Sequence, residues 1–368
     1  MMRLTDDGAQ QAQFDYQLAV EARLEPLAHQ QLFGVETLRQ QLYEAVVAPD
    51  KPWLISIEGL GGIGKTSLAD QLIRELIPTS PFFDIAWVSA RQERFTPAIG
   101  IQPVNDTPEH PALTVETLVD LLLTQLNHNH QVGLSAQQKL TGLNRLLKQQ
   151  PCIIVVDNLE TAADYQALIP LLRQLANPSK FLLTSRHSLK SYADTFCLNI
   201  TELSQSDTID FLTHEAQSRR LEGLAQESSE QFAEVYQVVG GNPLALKLVL
   251  GQIHTLPLNQ VLRNLEQAQG RKTTDLYTYI YWQSWQALSD AGRQALLTLA
   301  VASPRGSTIE HLLAISGLQA GALSQALDML ATFSLVDVGG DLNARRYSIH
   351  RLTETFLLTE VTQWPLSP

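Results

Sequence analysis

The sequence predicts a parallel α/β domain over residues 29–200, an all-helical domain over 201–272 and a winged-helix domain over 273–368, preceded by a helical lead-in at 1–28. Three observations carry that reading. From about 29 to 200, apolar runs of strand length alternate with helical patterns, which places a parallel sheet between two layers of helices. The segment Gly59-Leu60-Gly61-Gly62-Ile63-Gly64-Lys65-Thr66 satisfies G-x-x-x-x-G-K-[ST] and joins an apolar strand to a helix-period stretch. After residue 200 the strand signals stop, helix follows helix, and one hairpin pattern appears near the end.

In chain order, 10–24 carries apolar side chains at helical spacing (Phe14, Leu18, Val20, Leu24), an amphipathic lead-in too small to be a domain. Strands are expected at 53–57, 85–88, 152–156 and 181–183, with a weaker one at 197–200. The stretch 95–111 holds Pro97, Pro103, Pro108 and Pro111 with little apolar pattern, so it reads as a long mobile surface loop before helices at 114–127 and 135–149. Helix-period faces recur at 206–217, 228–239, 243–253 and 259–268, with Pro243 suited to a first turn. Further helices are expected near 277–288, 290–301, 308–316 and 319–332. Strands at 334–338 and 345–349 then pair around Gly339-Gly340, a wing after its helices, before a last helix from about 350.

With 368 residues and 44% hydrophobic content, the chain can build several cores, which excludes a fibrous or wholly disordered protein. A net charge of -12 opposes sequence-blind adhesion to nucleic acid or anionic lipid. No run approaches the roughly 18 consecutive apolar residues of a membrane-crossing helix, and the polar start lacks an apolar signal core, so a cytoplasmic protein with no membrane contact is expected. Cys152 and Cys197 both lie in apolar stretches and read as reduced, buried thiols.

The glycine-rich segment makes the first domain a P-loop domain. Its glycines let the backbone amides of Gly61, Gly62, Ile63, Gly64, Lys65, Thr66 and Ser67 turn inward around phosphates, at a helix start that adds partial positive charge. Lys65 would bridge the terminal phosphates and the Thr66 hydroxyl would ligate Mg2+. The second metal ligand such a loop needs is Asp157, at the end of the apolar strand Ile153-Ile154-Val155-Val156, unless it serves only as a helix cap. Enough chain separates Lys65 from Asp157 for another strand between them. Asn158 cannot accept a proton; Glu160 can act as general base for water, or else be a capping or surface acid. Arg186, behind Thr184-Ser185 at a strand's carboxyl edge, points to the same crevice as a sensor of the terminal phosphate, or else is a solvated arginine. The loop His128-Asn129-His130 has no partner at metal spacing and reads as solvated.

The separation of Lys65 from Asp157 resembles the additional-strand division of P-loop proteins. Taken together, the motifs resemble the NB-ARC branch of the STAND family of switch ATPases, over about residues 30–360. Phe33-Gly34-Val35-Glu36 is similar to the family's opening motif, whose backbone holds adenine, with Val35 in place of an arginine. Phe83-Asp84-Ile85-Ala86-Trp87-Val88 resembles its second strand, Val155-Val156-Asp157-Asn158 its metal-binding strand, and Thr184-Ser185-Arg186 its sensor strand. Gly241-Asn242-Pro243-Leu244-Ala245 resembles the G-x-P-L-A helix start, which implies that Pro243 packs on adenine. Ile349-His350-Arg351-Leu352 lies where the family has Met-His-Asp, which implies that His350 meets the β-phosphate of ADP.

The resemblance implies a switch that is closed with ADP and opens or oligomerises with ATP and Mg2+, with slow hydrolysis, and with effector and sensor units outside this chain. Two alternatives stand beside it. A DNA-binding regulator would use the winged helix, but from residue 276 onward five arginines face seven acids, and only Arg345-Arg346 favours that reading. A nucleotide-holding scaffold without turnover would follow if Glu160 is not the base.

Overall fold

The structure, a computed structural model, describes residues 6–24, 31–90, 93–96, 100–103, 113–128, 134–159, 162, 165–218, 229–253, 256–268, 281–282, 284–302, 306–333, 335–340, 345–349, 353, 357 and 361. Five parallel strands form the central sheet: β1 (Leu54–Glu58), β2 (Asp84–Ser89), β5 (Cys152–Asp157), β6 (Lys180–Ser185) and β7 (Thr195–Asn199), in the order β2-β5-β6-β1-β7. The five strands read in the sequence are thus present, each within two residues of its expected start. β6 lies between β1, which feeds the glycine-rich loop, and β5, which ends in Asp157. The strand expected between Lys65 and Asp157 in sequence, at 85–88, is β2 at the edge of the sheet, whereas the strand placed between β1 and β5 is β6, which follows Asp157 in sequence.

The side chains of β5 explain why its sequence is an unbroken apolar run. Ile153 and Val155 enter the core on one face, while Ile154 and Val156 enter the core on the other. One face is covered by α1 (Asp6–Glu21), α2 (Glu36–Val47) and α3 (Lys65–Leu76), the other by α4 (Val115–Gln125), α5 (Ala136–Gln149) and α6 (Tyr165–Leu175). The lead-in helix is clasped onto the sheet. Val20 and Leu24 are buried in its core, and the Arg23 guanidinium donates to Asp84 Oδ1 at 2.8 Å and to the Ile85 carbonyl at the start of β2.

The chain continues through α7 (Gln205–Ser218), α8 (Ser229–Val239), α9 (Pro243–Ile253) and α10 (Leu258–Ala268), then α11 (Asp290–Val301), α12 (Ile309–Ser316) and α13 (Ala320–Thr332). An antiparallel hairpin of β8 (Asp337–Gly340) and β9 (Arg345–Ser348) follows, and Ser307 bridges to Tyr347 beside it. One buried cluster runs through this whole half: Phe211, Phe232 and Val249 share it with Leu296, Leu330, Phe333 and Ile349.

Four features differ from the sequence reading, one of them being that Gly339 and Gly340, expected to form the turn of the last hairpin, lie inside β8 and pair with Arg346 and Arg345. The stretch expected to be a loop from residue 95 begins with an antiparallel hairpin, β3 (Glu93–Thr96) against β4 (Gly100–Pro103). Phe95 is paired with Ile101, and Pro103 closes the final rung, where its missing N–H does least harm. Helix α2 went unread because only Leu42, Ala45 and Val46 are buried on it, and α6 because Pro170 lies inside it.

Gly251 lets α9 cross the end of α13 at backbone distance. A Cβ there would lie 2.5 Å from the Phe333 carbonyl oxygen and 2.6 Å from its Cα. In an isolated helix, alanine is favoured over glycine by up to about 1 kcal/mol. Here Gly251→Ala is expected to destabilise by about 1–3 kcal/mol, because the overlap is with backbone. Urea unfolding measures it, and a variant as stable as the parent would show that the close crossing is wrong.

Candidate functional site

The site begins where β1 ends. After Glu58 the chain turns through the glycine-rich loop into α3, and Gly62 sits at φ +72° in the left-handed region. A Cβ on Gly62 would meet the Leu244 Cβ at 2.8 Å, so the residue needs hydrogen there for conformation and for space. Lys65 is 7% exposed, and its ammonium donates to the carbonyls of Gly59 at 2.9 Å and Leu60 at 2.8 Å. The lysine is therefore folded back over its own loop.

One position further on, Thr66 Oγ1 donates to Asp157 Oδ1 at 2.8 Å, across the strand that separates them. Asp157 is fully buried and holds donors on both oxygens: Thr184 Oγ1 also reaches Oδ1 at 2.5 Å, and Asn158 Nδ2 reaches Oδ2 at 2.6 Å. Thr184 in turn accepts from the Asn158 amide at 2.9 Å, tying β5 to β6. A hydroxyl and a carboxylate brought together at the mouth of a phosphate-type loop form an oxygen donor set of the kind a hard divalent cation takes. Among the described residues no group of three or more His, Cys, Asp or Glu side chains forms a separate metal cluster. Cys152 and Cys197 are free thiols, and burial pushes both up to about 12, so they stay protonated as packing groups.

The helical half reaches the loop through Asn242, which is fully buried. Its Nδ2 donates to the Gly61 carbonyl at 3.0 Å, while its Oδ1 accepts from the amides of Leu244 at 3.1 Å and Ala245 at 3.3 Å. One side chain thus caps α9 and holds the outer carbonyl of the loop. Pro243 follows as the first helical residue, where no amide is needed. Phe33 packs edge-on against Phe211 with ring centroids 5.7 Å apart, and against the His214 ring at 5.4 Å.

Between these elements lies a pocket holding about 940 Å³ of empty space, its open mouth included. Phe33, Val35, Ile63, Ile200, Leu203, Phe211, Pro243 and Leu244 give it apolar walls; Gly62, Gly64 and Ser67 give it a loop floor. Glu215, Lys247 and, from the distant hairpin, Asp337 give it charge. Apolar walls with a few convergent polar groups are the ordinary make-up of a small-molecule site.

Of the residues the sequence singled out, the pocket gathers Phe33, Gly62, Ile63, Gly64, Ser67 and Pro243. Gly61, Lys65 and Thr66 belong to the loop beneath it, Gly34 adjoins Phe33, and Asp157 ends β5. Arg186 is exposed just past β6, at the same carboxyl edge. Glu160 and His350 lie outside the described residues. Sequence reasoning passed over the bond from Asn242 to the Gly61 carbonyl. It also passed over Thr184 as a ligand of Asp157, and over Glu215, Lys247 and Asp337, which carry no motif.

The family model of the NB-ARC domain matches residues 35–222, which covers the sheet and the first helix beyond it. The chain belongs to the NB-ARC domain family. Among curated relatives, an uncharacterized WD repeat-containing protein of Nostoc sp. is 25% identical over 278 residues, covering 67% of this chain and 20% of that protein. Disease resistance RPP8-like protein 3 of Arabidopsis thaliana is 24% identical over 253 residues, covering 68% of this chain and 26% of that protein. The chain therefore spans about a fifth to a quarter of the length of these relatives. Among solved structures, a Signal Transduction ATPase with Numerous Domains protein with a tetratricopeptide repeat sensor, from Pyrococcus horikoshii, superposes with a TM-score of 0.58 at 15% identity. That match covers 92% of this chain and 44% of that one, and it shows a shared fold. The NB-ARC match begins at Val35, so Phe33 and Gly34 stand just outside it. No described helix is long and apolar enough to cross a membrane.

Asn242→Ala removes a helix cap and leaves the Gly61 carbonyl without its side-chain donor, a loss of about 1–2 kcal/mol. Asn242→Ser keeps a capping oxygen while its short side chain no longer reaches the Gly61 carbonyl, so it should cost less. Chemical denaturation of the two variants checks the order, and equal losses would disprove the dual role.

Proposed function

We propose that this chain is the core of an ATP- and ADP-dependent molecular switch. The observation that carries it is the pocket in which Gly62, Gly64 and Ser67 meet Phe33 on one side and Pro243 on the other, with Asp337 of the last hairpin at its edge. A ligand bound there touches all three parts of the chain at once. The NB-ARC family membership supports a nucleotide as that ligand.

In this reading the loop amides from Gly61 to Ser67 surround the phosphates, and Lys65 exchanges its bonds to the Gly59 and Leu60 carbonyls for phosphate oxygens. Phe33, Gly34 and Pro243 enclose the adenine. Thr66 and Asp157 would hold Mg2+, which supplies charge neutralisation at the terminal phosphates; their 2.8 Å contact fits that donor set. Arg186 reads the terminal phosphate, and Glu160 takes the proton from water in a slow hydrolysis. The third unit, read as a winged helix, docks through His350 on the β-phosphate of ADP and leaves when ATP binds. Reversing a closed:open ratio from 99:1 to 1:99 takes about 5.5 kcal/mol of differential binding, whereas one hydrogen bond to a charged group supplies about 1.5–3. Several contacts must therefore change together.

The partners in this reading are sensor and effector units outside these residues, and an ATP-dependent homo-oligomer; the compartment is the cytoplasm. Support comes from the relatives, one named for WD repeats, another for disease resistance, and from the structural match, a protein with a tetratricopeptide repeat sensor. Defence signalling is the role we propose for the longer protein.

Lys65→Ala is expected to abolish tight ADP binding, because the loop offers no second ammonium to the terminal phosphates. Isothermal titration calorimetry of parent and variant tests this, and an unchanged ADP affinity would remove the proposal.

A further inference from the structure

We propose that Glu58 is a positioning residue whose carboxylate ties the turn carrying Arg186 to the root of the glycine-rich loop, so that the guanidinium keeps its place relative to the phosphates. This inference rests on the nucleotide reading given above, in which Arg186 reads the terminal phosphate. Glu58 ends β1, and its peptide bond leads directly into Gly59, the first residue of the loop. On β6 the residue in register with it is Ser185, and Arg186 follows immediately. The loop and the arginine therefore leave the same edge of the sheet from neighbouring strands, about 5 Å apart.

A carboxyl group that is only 3% exposed needs donors, and Glu58 finds one in the turn. Its Oε1 accepts from the Leu189 amide at 2.7 Å, a buried bond between residues far apart in sequence. The near end of the same turn is held by Ser185, whose Oγ accepts from the His187 amide at 3.0 Å. Leu189 is buried in the core on the α4–α6 face of the sheet, while Arg186, between the two anchors, is exposed. On β7 the Cys197 thiol lies against the same carboxylate: burial first, then Glu58, pushes it up to about 12, so it stays a protonated neighbour. A side chain one methylene shorter cannot reach the Leu189 amide without moving β1, whose backbone is fixed by pairing with β6 and β7. Losing that bond frees the far end of the turn and lets Arg186 drift. The loop that holds the phosphates common to ADP and ATP is left as it was, so the loss falls on ATP.

The test is calorimetry of ADP and of a non-hydrolysable ATP analogue, both with Mg2+, on the parent chain, Glu58→Gln, Glu58→Asp, Arg186→Ala and the double variant of the last two, with melting curves of each without nucleotide. Arg186→Ala is expected to weaken the analogue about ten- to a hundredfold, the usual worth of a hydrogen bond to a charged group, and to leave ADP nearly unchanged. Glu58→Gln keeps an acceptor at the same reach and stays within about threefold of the parent for both ligands. Glu58→Asp keeps the charge, loses the reach and weakens the analogue about three- to thirtyfold, with ADP within about threefold. In the Arg186→Ala background, Glu58→Asp then weakens the analogue no further. Glu58→Met, of similar volume and without a carboxylate, takes the place of Glu58→Asp if that variant does not fold. A carboxylate that only stabilises the fold gives a different pattern. Glu58→Asp would then lower the melting temperature and change both affinities alike, or add in full to Arg186→Ala, and either result overturns the assignment. Glu58→Gln as impaired for the analogue as Glu58→Asp would overturn it too, because charge and not reach would then be at work. Lost discrimination in Arg186→Ala beside an unaffected Glu58→Asp would overturn only the role of Glu58. An Arg186→Ala variant that discriminates as the parent does would overturn the sensor arginine and this role with it, and a parent chain that binds no ADP would overturn the nucleotide reading itself.

Discussion

The 3.0 Å hydrogen bond from the Asn242 side chain to the Gly61 carbonyl is the contact on which the arrangement of the two halves turns. A loop whose amides face inward to receive an anion must turn carbonyls outward, and an outward carbonyl covered by another domain needs a donor. Asn242 supplies it from a fully buried position while capping α9. The same contact sets Pro243 and Leu244 against Gly62 and thereby builds one wall of the pocket. Local backbone chemistry, domain packing and ligand geometry are joined in a single side chain.

A second constraint sits under the loop. Asp157 is fully buried, and its charge is balanced by the hydroxyls of Thr66 and Thr184 and the amide of Asn158. Placing β6 beside β5 is what lets Thr184 reach the same oxygen of the acid as Thr66. A cation arriving with phosphates would find its oxygen ligands already assembled, so little reorganisation is needed at that corner. On the far side of the loop, α7, α9 and the β8–β9 hairpin share the pocket edge. One buried cluster unites that half, from Phe211 to Ile349, so its helices and hairpin share one core.

The strands were legible because a sheet covered on both faces turns each strand into a short unbroken apolar run, as in Ile153-Ile154-Val155-Val156. The loop was legible because its glycines, Lys65 and Thr66 each answer a separate demand of phosphate chemistry. What stayed hidden depends on partners distant in sequence. Helix α2 buries too few residues to stand out, α6 contains Pro170, and the β3–β4 hairpin lies among prolines that read as loop. Glu215, Lys247 and Asp337 belong to ordinary charged positions until three separate elements bring them to one pocket. Asn242 is the intermediate case, since its capping role was readable and its bond to Gly61 was not.

If the pocket joins the two halves through a nucleotide, its phosphate content must change the distance between them. The direct measurement is energy transfer between a donor on α5 and an acceptor on α13, compared for ADP and for a non-hydrolysable ATP analogue with Mg2+. With ADP the transfer should match or exceed that of the nucleotide-free chain, and with the analogue it should fall as the last unit departs. Equal transfer in both nucleotides, at concentrations where calorimetry shows both bound, would contradict the account.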